Sequence, residues 1–147
     1  MKINRVIISI LILFVFGFIL FSNSQKEIKS VCINEKCFFV EIADENIERV
    51  FGLSNREFFP LDYGMLFIFE EETIPGFWME EMKFQIDIIW IGSDFKIIGI
   101  DKNLKPCKKD FCPTYNPEEK IKYVLEINAG LSEDYSFEIG DEVKLFW

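Results

Sequence analysis

The chain has 147 residues, 50% hydrophobic and 16% aromatic with seventeen Phe, and carries a net charge of −9. That length and apolar content suit one domain with a real core. It has no histidine, which excludes Ser-His and Cys-His nucleophile pairs and imidazole bases, and its acid excess disfavours nucleic acid as a partner, because phosphate binding needs clustered Lys and Arg.

Lys2 and Arg5 precede sixteen almost wholly apolar residues, Val6 to Phe21, and Ser22 to Gln25 follow. As a signal peptide, Ser22-Asn23-Ser24 offers small residues before a cut at Gln25. As an anchor, the run reaches roughly 24 Å, short of a hydrocarbon core of about 30 Å unless polar flanks help. Both readings place the rest outside the cytoplasm if the basic N-terminus stays inside, although Lys26 and Lys29 weaken that asymmetry. The retained anchor is favoured slightly, because Phe and Ile crowd up to Phe21. Without Lys2 and Arg5, 14 bases face 25 acids, net −11.

Cys32 and Cys37 flank a turn-like Asn34-Glu35 between strand-like residues, which predicts a hairpin with the cysteines facing each other. Cys107 and Cys112 have the same spacing, inside a loop bounded by Pro106 and Pro113. Export favours two disulfides, with a four-cysteine zinc site as the rival. A redox pair is disfavoured because the spacing is not Cys-x-x-Cys.

Cys37 to Ala43 alternates as a strand. Asp44 is the expected N-cap of a short helix, Glu45 to Phe51, that ends at Gly52. Asn55 to Tyr63 reads as loop, and Gly64 to Phe69 as a central strand apolar on both faces, broken by Glu70-Glu71-Glu72. Phe77-Trp78-Met79 opens another strand region; Phe84 to Trp90 alternates, and Lys96 to Ile100 returns as its hairpin partner after Gly92-Ser93-Asp94. Lys102 to Glu119 is a long irregular loop. Tyr123 to Asn128 is a strand, Ala129 to Tyr135 a short helix or turn, and Glu142 to Trp147 a final strand. The expected fold is mainly β with short helices (α+β), a compact β-sandwich or barrel-like domain behind an N-terminal apolar helix. Residues 1–25 form the signal peptide or anchor, 26–38 a lead-in hairpin and 39–147 the β-rich domain.

Asp87 lies mid-strand between Ile86 and Ile88. It is either a structural acid bonded to backbone or to Arg56, or a site carboxylate with a shifted pKa. Glu126 alternates with Val124 and Asn128, which predicts a polar strand face. The two acids meeting in a cleft would suit glycoside hydrolysis. Trp90 shares the periodicity of Ile86 and Ile88 and is expected in the core; Trp78 and Tyr115 are the better candidates for a ligand-stacking surface, with packing against the sheet the competing role.

In order along the chain, Gly52-Leu53 with Arg56, Gly64-Met65-Leu66-Phe67 with Phe69, Phe77-Trp78-Met79, Ile86-Asp87-Ile88, Pro106-Cys107, Cys112-Pro113-Thr114-Tyr115, Tyr123-Val124-Leu125-Glu126, Gly130 and Gly140-Asp141 resemble the family called domain of unknown function 192. The resemblance implies a small, mainly β domain, often exported, and brings no established activity. Where the family usually has Asn-Thr after Phe-Trp-Met, and then a Pro before the Asp, this chain has Glu81-Met82 and Gln85; Ser54 stands where Met is usual. Arg56, Trp78, Asp87, Tyr115 and Glu126 keep the pattern and form the candidate ligand-binding set. No catalytic constellation, metal ligand set or cofactor motif is evident. The expectation is a membrane-anchored or secreted extracytoplasmic binding module. Its partner would be a small molecule, glycan or envelope protein, with the membrane a partner if the helix is uncleaved. The alternatives are an accessory protein docking a larger envelope complex, or a carboxylate-dependent hydrolase.

Overall fold

The computed structural model describes residues 29–108 and 111–146. The leader expected over 1–25 lies outside the described residues. Among them, no helix is long and apolar enough to cross a membrane.

Strands β1 (Lys29–Ile33) and β2 (Lys36–Ala43) form the expected antiparallel hairpin, with Asn34 at positive φ in its turn. Cys32 and Cys37 are ladder partners joined by a disulfide, and Cys107–Cys112 is a second disulfide. The hairpin is more than a lead-in. β1 lies between β2 and β7 (Val143–Phe146), so it is an interior strand. With β3 (Tyr63–Thr73), β4 (Ile86–Ile91), β5 (Ile97–Leu104) and β6 (Ile121–Asn128), it makes one seven-stranded sheet in the order β5-β4-β6-β3-β2-β1-β7. Only β2 and β3 pair in parallel, and the connection between them carries helix α1 (Asn46–Phe51).

The sheet curls into a half-barrel whose two edges meet at one end. Val143 N–H donates to Phe95 O at 2.8 Å, Gly140 N–H to Ile97 O at 2.8 Å and Ile97 N–H to Asp141 O at 3.0 Å. Inside the curl, Val31 of β1 and Val143 of the edge strand β7 share a cluster with Ile91 of β4 and Ile97 of the opposite edge strand β5. Leu131 of α2 (Leu131–Asp134) and Phe137 plug it. The outer face carries a second cluster, with Met65, Phe67, Ile88, Trp90 and Val124 covered by Leu53, Phe77 and Met82 from the connecting segments. Trp90 is core, as its periodicity requires, and donates to Asp101 at 2.7 Å. Its indole lies flat over β5 because Gly99 has no Cβ, which would sit 3.0 Å from Trp90 Cδ1.

Burial on both faces has a physical cost that the sequence pattern hides. All six residues of β4 are buried, including Asp87, so alternation of polar and apolar residues there does not mark an exposed face. β3 runs through Glu70-Glu71-Glu72 to Thr73, which pairs with Ile121 beyond a register shift. The acids are solvated without ending the strand. The N-cap of α1 is Glu45, one residue later than Asp44; Glu48 Oε2 receives the Asp44 and Glu45 N–H groups, and Gly52 N–H closes the helix on Glu48 O at 2.8 Å. Phe77–Met79 is an extended segment with isolated bridges, outside the main sheet.

Candidate functional site

On the outer face, α1 and the segment Ile74–Met82 stand apart over the sheet and leave a cleft of about 260 Å³. Phe51, Phe67, Phe69, Phe77, Trp78 and Met82 form its walls, and Glu126 of β6 lines it from the sheet. Asn46, Arg49 and Ser54 stand among its remaining lining residues.

Each wall is held by identifiable bonds. Phe77 exchanges backbone hydrogen bonds with Tyr115 at 2.9 and 2.8 Å, and Asn116 Nδ2 donates to Pro75 O at 3.1 Å. Cys107 N–H donates to Met79 O at 3.1 Å, so the second disulfide sits directly behind the Trp78 segment. On its other side that segment receives Asn55 N–H at Glu81 O, 2.9 Å, and Ser54 Oγ at Glu80 O, 3.3 Å. Phe77 packs edge-on between Phe67 (4.9 Å) and Trp90 (5.4 Å). Gly52, at φ +45°, lets the end of α1 come close to Phe67; a Cβ there would lie 3.3 Å from Phe67 Cζ.

Glu126 is the unusual group. Its ladder neighbours are Met65 on one side and Ile88 on the other, so the carboxyl stands between two apolar side chains and is only 5% exposed. Among the described residues it receives no hydrogen bond, and since no fully buried side-chain oxygen there lacks a partner, its carboxyl opens onto the cleft. Burial pushes its pKa up to about 8, opposed in part by the charge of Arg56. The acid is therefore mainly neutral at pH 7. The guanidinium that is the natural partner is already taken: Arg56 forks onto Glu41 at 2.6 and 2.8 Å, and this pairing holds Arg56 above its usual value.

Of the five sequence candidates, Trp78 and Glu126 share the cleft, and Trp78 is 44% exposed. The polar face expected around Glu126 is not there, because Val124 is buried and the sheet is covered on this side too. Arg56 acts on Glu126 only through its charge. Tyr115 is half-buried, packs against the outer cluster and contributes its backbone to the wall. Asp87 is wholly buried on the inner face. It accepts Asn103 N–H at 2.8 Å, Gly130 N–H at 3.2 Å, and Ser132 N–H and Oγ at 3.0 and 2.7 Å. That is its structural role, filled by backbone and Ser132 and not by Arg56. Asp87 and Glu126 thus stand on opposite sides of the sheet, and the two-carboxylate arrangement needed for glycoside hydrolysis is not assembled.

Sequence reasoning missed Phe51, Arg49 and Met82. Ile47, Val50 and Phe51 form an apolar i, i+3, i+4 stripe with no buried residue in the helix, which is a legible sign of an unfilled face. Met82 occupies a place where the family resemblance implies Thr, and it makes this wall more apolar.

Residues 25–145 match the family described as an uncharacterised ACR, domain of unknown function 192. This chain belongs to that family. Two relatives are UPF0127 proteins: one of Pyrococcus horikoshii, 35% identical over 112 residues, covering 73% of this chain and 87% of the relative. The other, of Pyrococcus furiosus, is 30% identical over 110 residues, covering 71% and 84%. Two solved structures share the fold. A Novosphingobium aromaticivorans protein of unknown function has a TM-score of 0.73 and 27% identity, covering 78% of this chain and 83% of that one. A Sinorhizobium meliloti protein described as a candidate transcription regulator has a TM-score of 0.74 and 29% identity, covering 80% and 93%. For this member of the domain of unknown function 192 family, the cleft is the one place where exposed aromatics and a buried, unbonded acid coincide among the described residues.

Proposed function

We propose that this protein is an extracytoplasmic binding module, anchored or released, that takes a small and largely apolar molecule into the cleft between α1 and the Trp78 segment. The observation that carries the reading is Glu126, a buried acid without a hydrogen bond among the described residues, lining an aromatic cleft. A largely buried carboxyl normally has its partner in the fold. This one meets only the solvent of the cleft, since no fully buried oxygen is left without a partner among the described residues, and a ligand would take that solvent's place. The cleft volume of about 260 Å³ lies just under the range of drug-sized pockets, so the ligand is small. Two disulfides fit an oxidising compartment, and the apolar run Val6 to Phe21 supports export.

A second reading is favoured by one observation. Val50, Phe51 and Trp78 are exposed apolar side chains lining the cleft, and Ile47 and Ile74, on the same two segments, are exposed as well; such a patch suits docking to an envelope complex.

The test is a ligand-observed NMR screen of small aromatic and aliphatic compounds against the full chain, alongside Trp78→Ala and the cleft-filling Ser54→Trp. The reading expects bound compounds that both variants lose while their melting temperatures stay near the parent's. Compounds retained equally by both folded variants, or no bound compound, would remove the cleft as the binding site.

A further inference from the structure

We infer that the cleft recognises an organic ammonium ion, with the apolar body of the ligand against the aromatic walls and its charged nitrogen on the Glu126 carboxylate. This rests on the proposed cleft function and deepens it.

The first argument is a charge left uncompensated by geometry. Glu41 and Glu126 both lie on the outer face, on either side of Met65 in the cross-sheet row. They share the neighbourhood of one guanidinium, and Glu41 takes both of its terminal nitrogens. Ionised, Glu126 has no hydrogen bond from that guanidinium, whose terminal nitrogens are spent on Glu41. The second argument is the wall chemistry. Trp78, Phe51, Phe67 and Phe77 line the cleft beside Phe69, whose ring already faces Arg49, and aromatic faces attract cations. The third is the outer field. The chain carries 25 acids against 16 bases, so a cation is drawn towards it and an anion is repelled.

The charged groups around Glu126 are Arg56 and Glu41, which pair with each other, and Arg49 of α1. Arg49 also lines the cleft and would oppose a cation. Its guanidinium, however, donates to the carbonyls of Asp44 and Ile68 and to Asn46 Oδ1, and stacks 5.4 Å from the Phe69 ring. These bonds fix it against the Phe69 wall of the cleft.

Binding and ionisation are then linked. The free acid holds its proton up to about pH 8, while a bound ammonium favours the carboxylate. At pH 7 complex formation therefore releases close to one proton to solvent, and affinity falls about tenfold for each pH unit below 8. A neutral ligand that accepts a hydrogen bond from the protonated acid would show the reverse, binding more weakly above pH 8.

The experiment is calorimetric titration of the full chain with phenethylammonium, phenethyl alcohol and phenylpropanoate between pH 6 and 9. Buffers of different ionisation enthalpy count the protons released. The expected result is tightest binding by phenethylammonium, rising with pH to a plateau, with proton release at pH 7. Glu126→Gln should lower ammonium affinity at least tenfold at pH 9 and leave the alcohol unchanged. If the alcohol or the carboxylate binds as tightly, and Trp78→Ala abolishes it, the ammonium inference falls while the cleft function stands. If none of the three binds, or all bind Trp78→Ala and Ser54→Trp equally, the ammonium inference is overturned along with this use of the cleft.

Discussion

Asp87 and Glu126 stand on adjacent antiparallel strands one ladder step apart, Asp87 opposite Ile127 and Glu126 opposite Ile88, and their carboxyls point to opposite faces of the sheet. The inner acid is saturated by four donors from β5, Gly130 and α2. The outer acid receives no hydrogen bond from the described residues. One carboxyl is committed to the fold, and the other lines the cleft.

Asp87→Ala should therefore act on stability alone. It removes the acceptor from three backbone N–H groups and the Ser132 hydroxyl in a dry site, and each unsatisfied buried donor costs about 1–3 kcal/mol. Urea unfolding should show a loss of at least about 2 kcal/mol. A change within about 0.5 kcal/mol, typical of surface positions, would mean the clamp has been misread.

Glu126 should make stability fall as pH rises. Its folded pKa of about 8 lies above the ordinary value of 4.5, so between those values the folded chain holds a proton that the unfolded chain has lost. Stability is unaffected below about pH 4.5, declines through the window and levels off above 8. Glu126→Gln removes the ionisation. It should stabilise the protein by a few kcal/mol more at pH 9 than at pH 5, read from paired denaturation curves. An equal effect at both pH values would contradict the shifted pKa.

Arg56→Ala should raise the Glu126 pKa further, because the guanidinium charge is what opposes burial. Carboxyl chemical shifts followed by NMR through a pH titration would measure it. A fall in the pKa would show that Arg56 does not act as described.

The two disulfides should separate stability from function. Each closes an equally short loop, with a sequence separation of 5, so replacing either pair by Ser should cost about 2 kcal/mol on the chain-entropy account. Cys107–Cys112 lies behind the Trp78 segment through the Met79 bond; Cys32–Cys37 belongs to the β1–β2 hairpin. Hydrogen exchange should accelerate at residues 77–80 when the former pair is lost and remain unchanged there when the latter is. Equal acceleration in both would sever the link between that loop and the cleft.

The hairpin at Asn34, strands β2 to β7 and the core position of Trp90 were legible because turn residues and alternation report local geometry. The curl was not. It depends on β5 and β7 meeting through Phe95, Ile97, Gly140 and Val143, a contact between distant segments that leaves no periodic trace. The same limit applied to the site. Asp87 stood out as an acid among apolar residues, yet burial on both faces of β4 meant that alternation could not say which acid was bonded. Glu126 looked ordinary because its isolation comes from Met65, Ile88 and the cover supplied by Met82, all remote in sequence. The apolar stripe of α1 was the readable clue to the cleft.

The most direct test is the Glu126 carboxyl pKa, measured by NMR on the full chain free and saturated with phenethylammonium. The account predicts a value near 8 in the free protein and a fall of about 2–3 units in the complex. An ordinary carboxylate value in the free protein, or a value that phenethylammonium does not move, would contradict it.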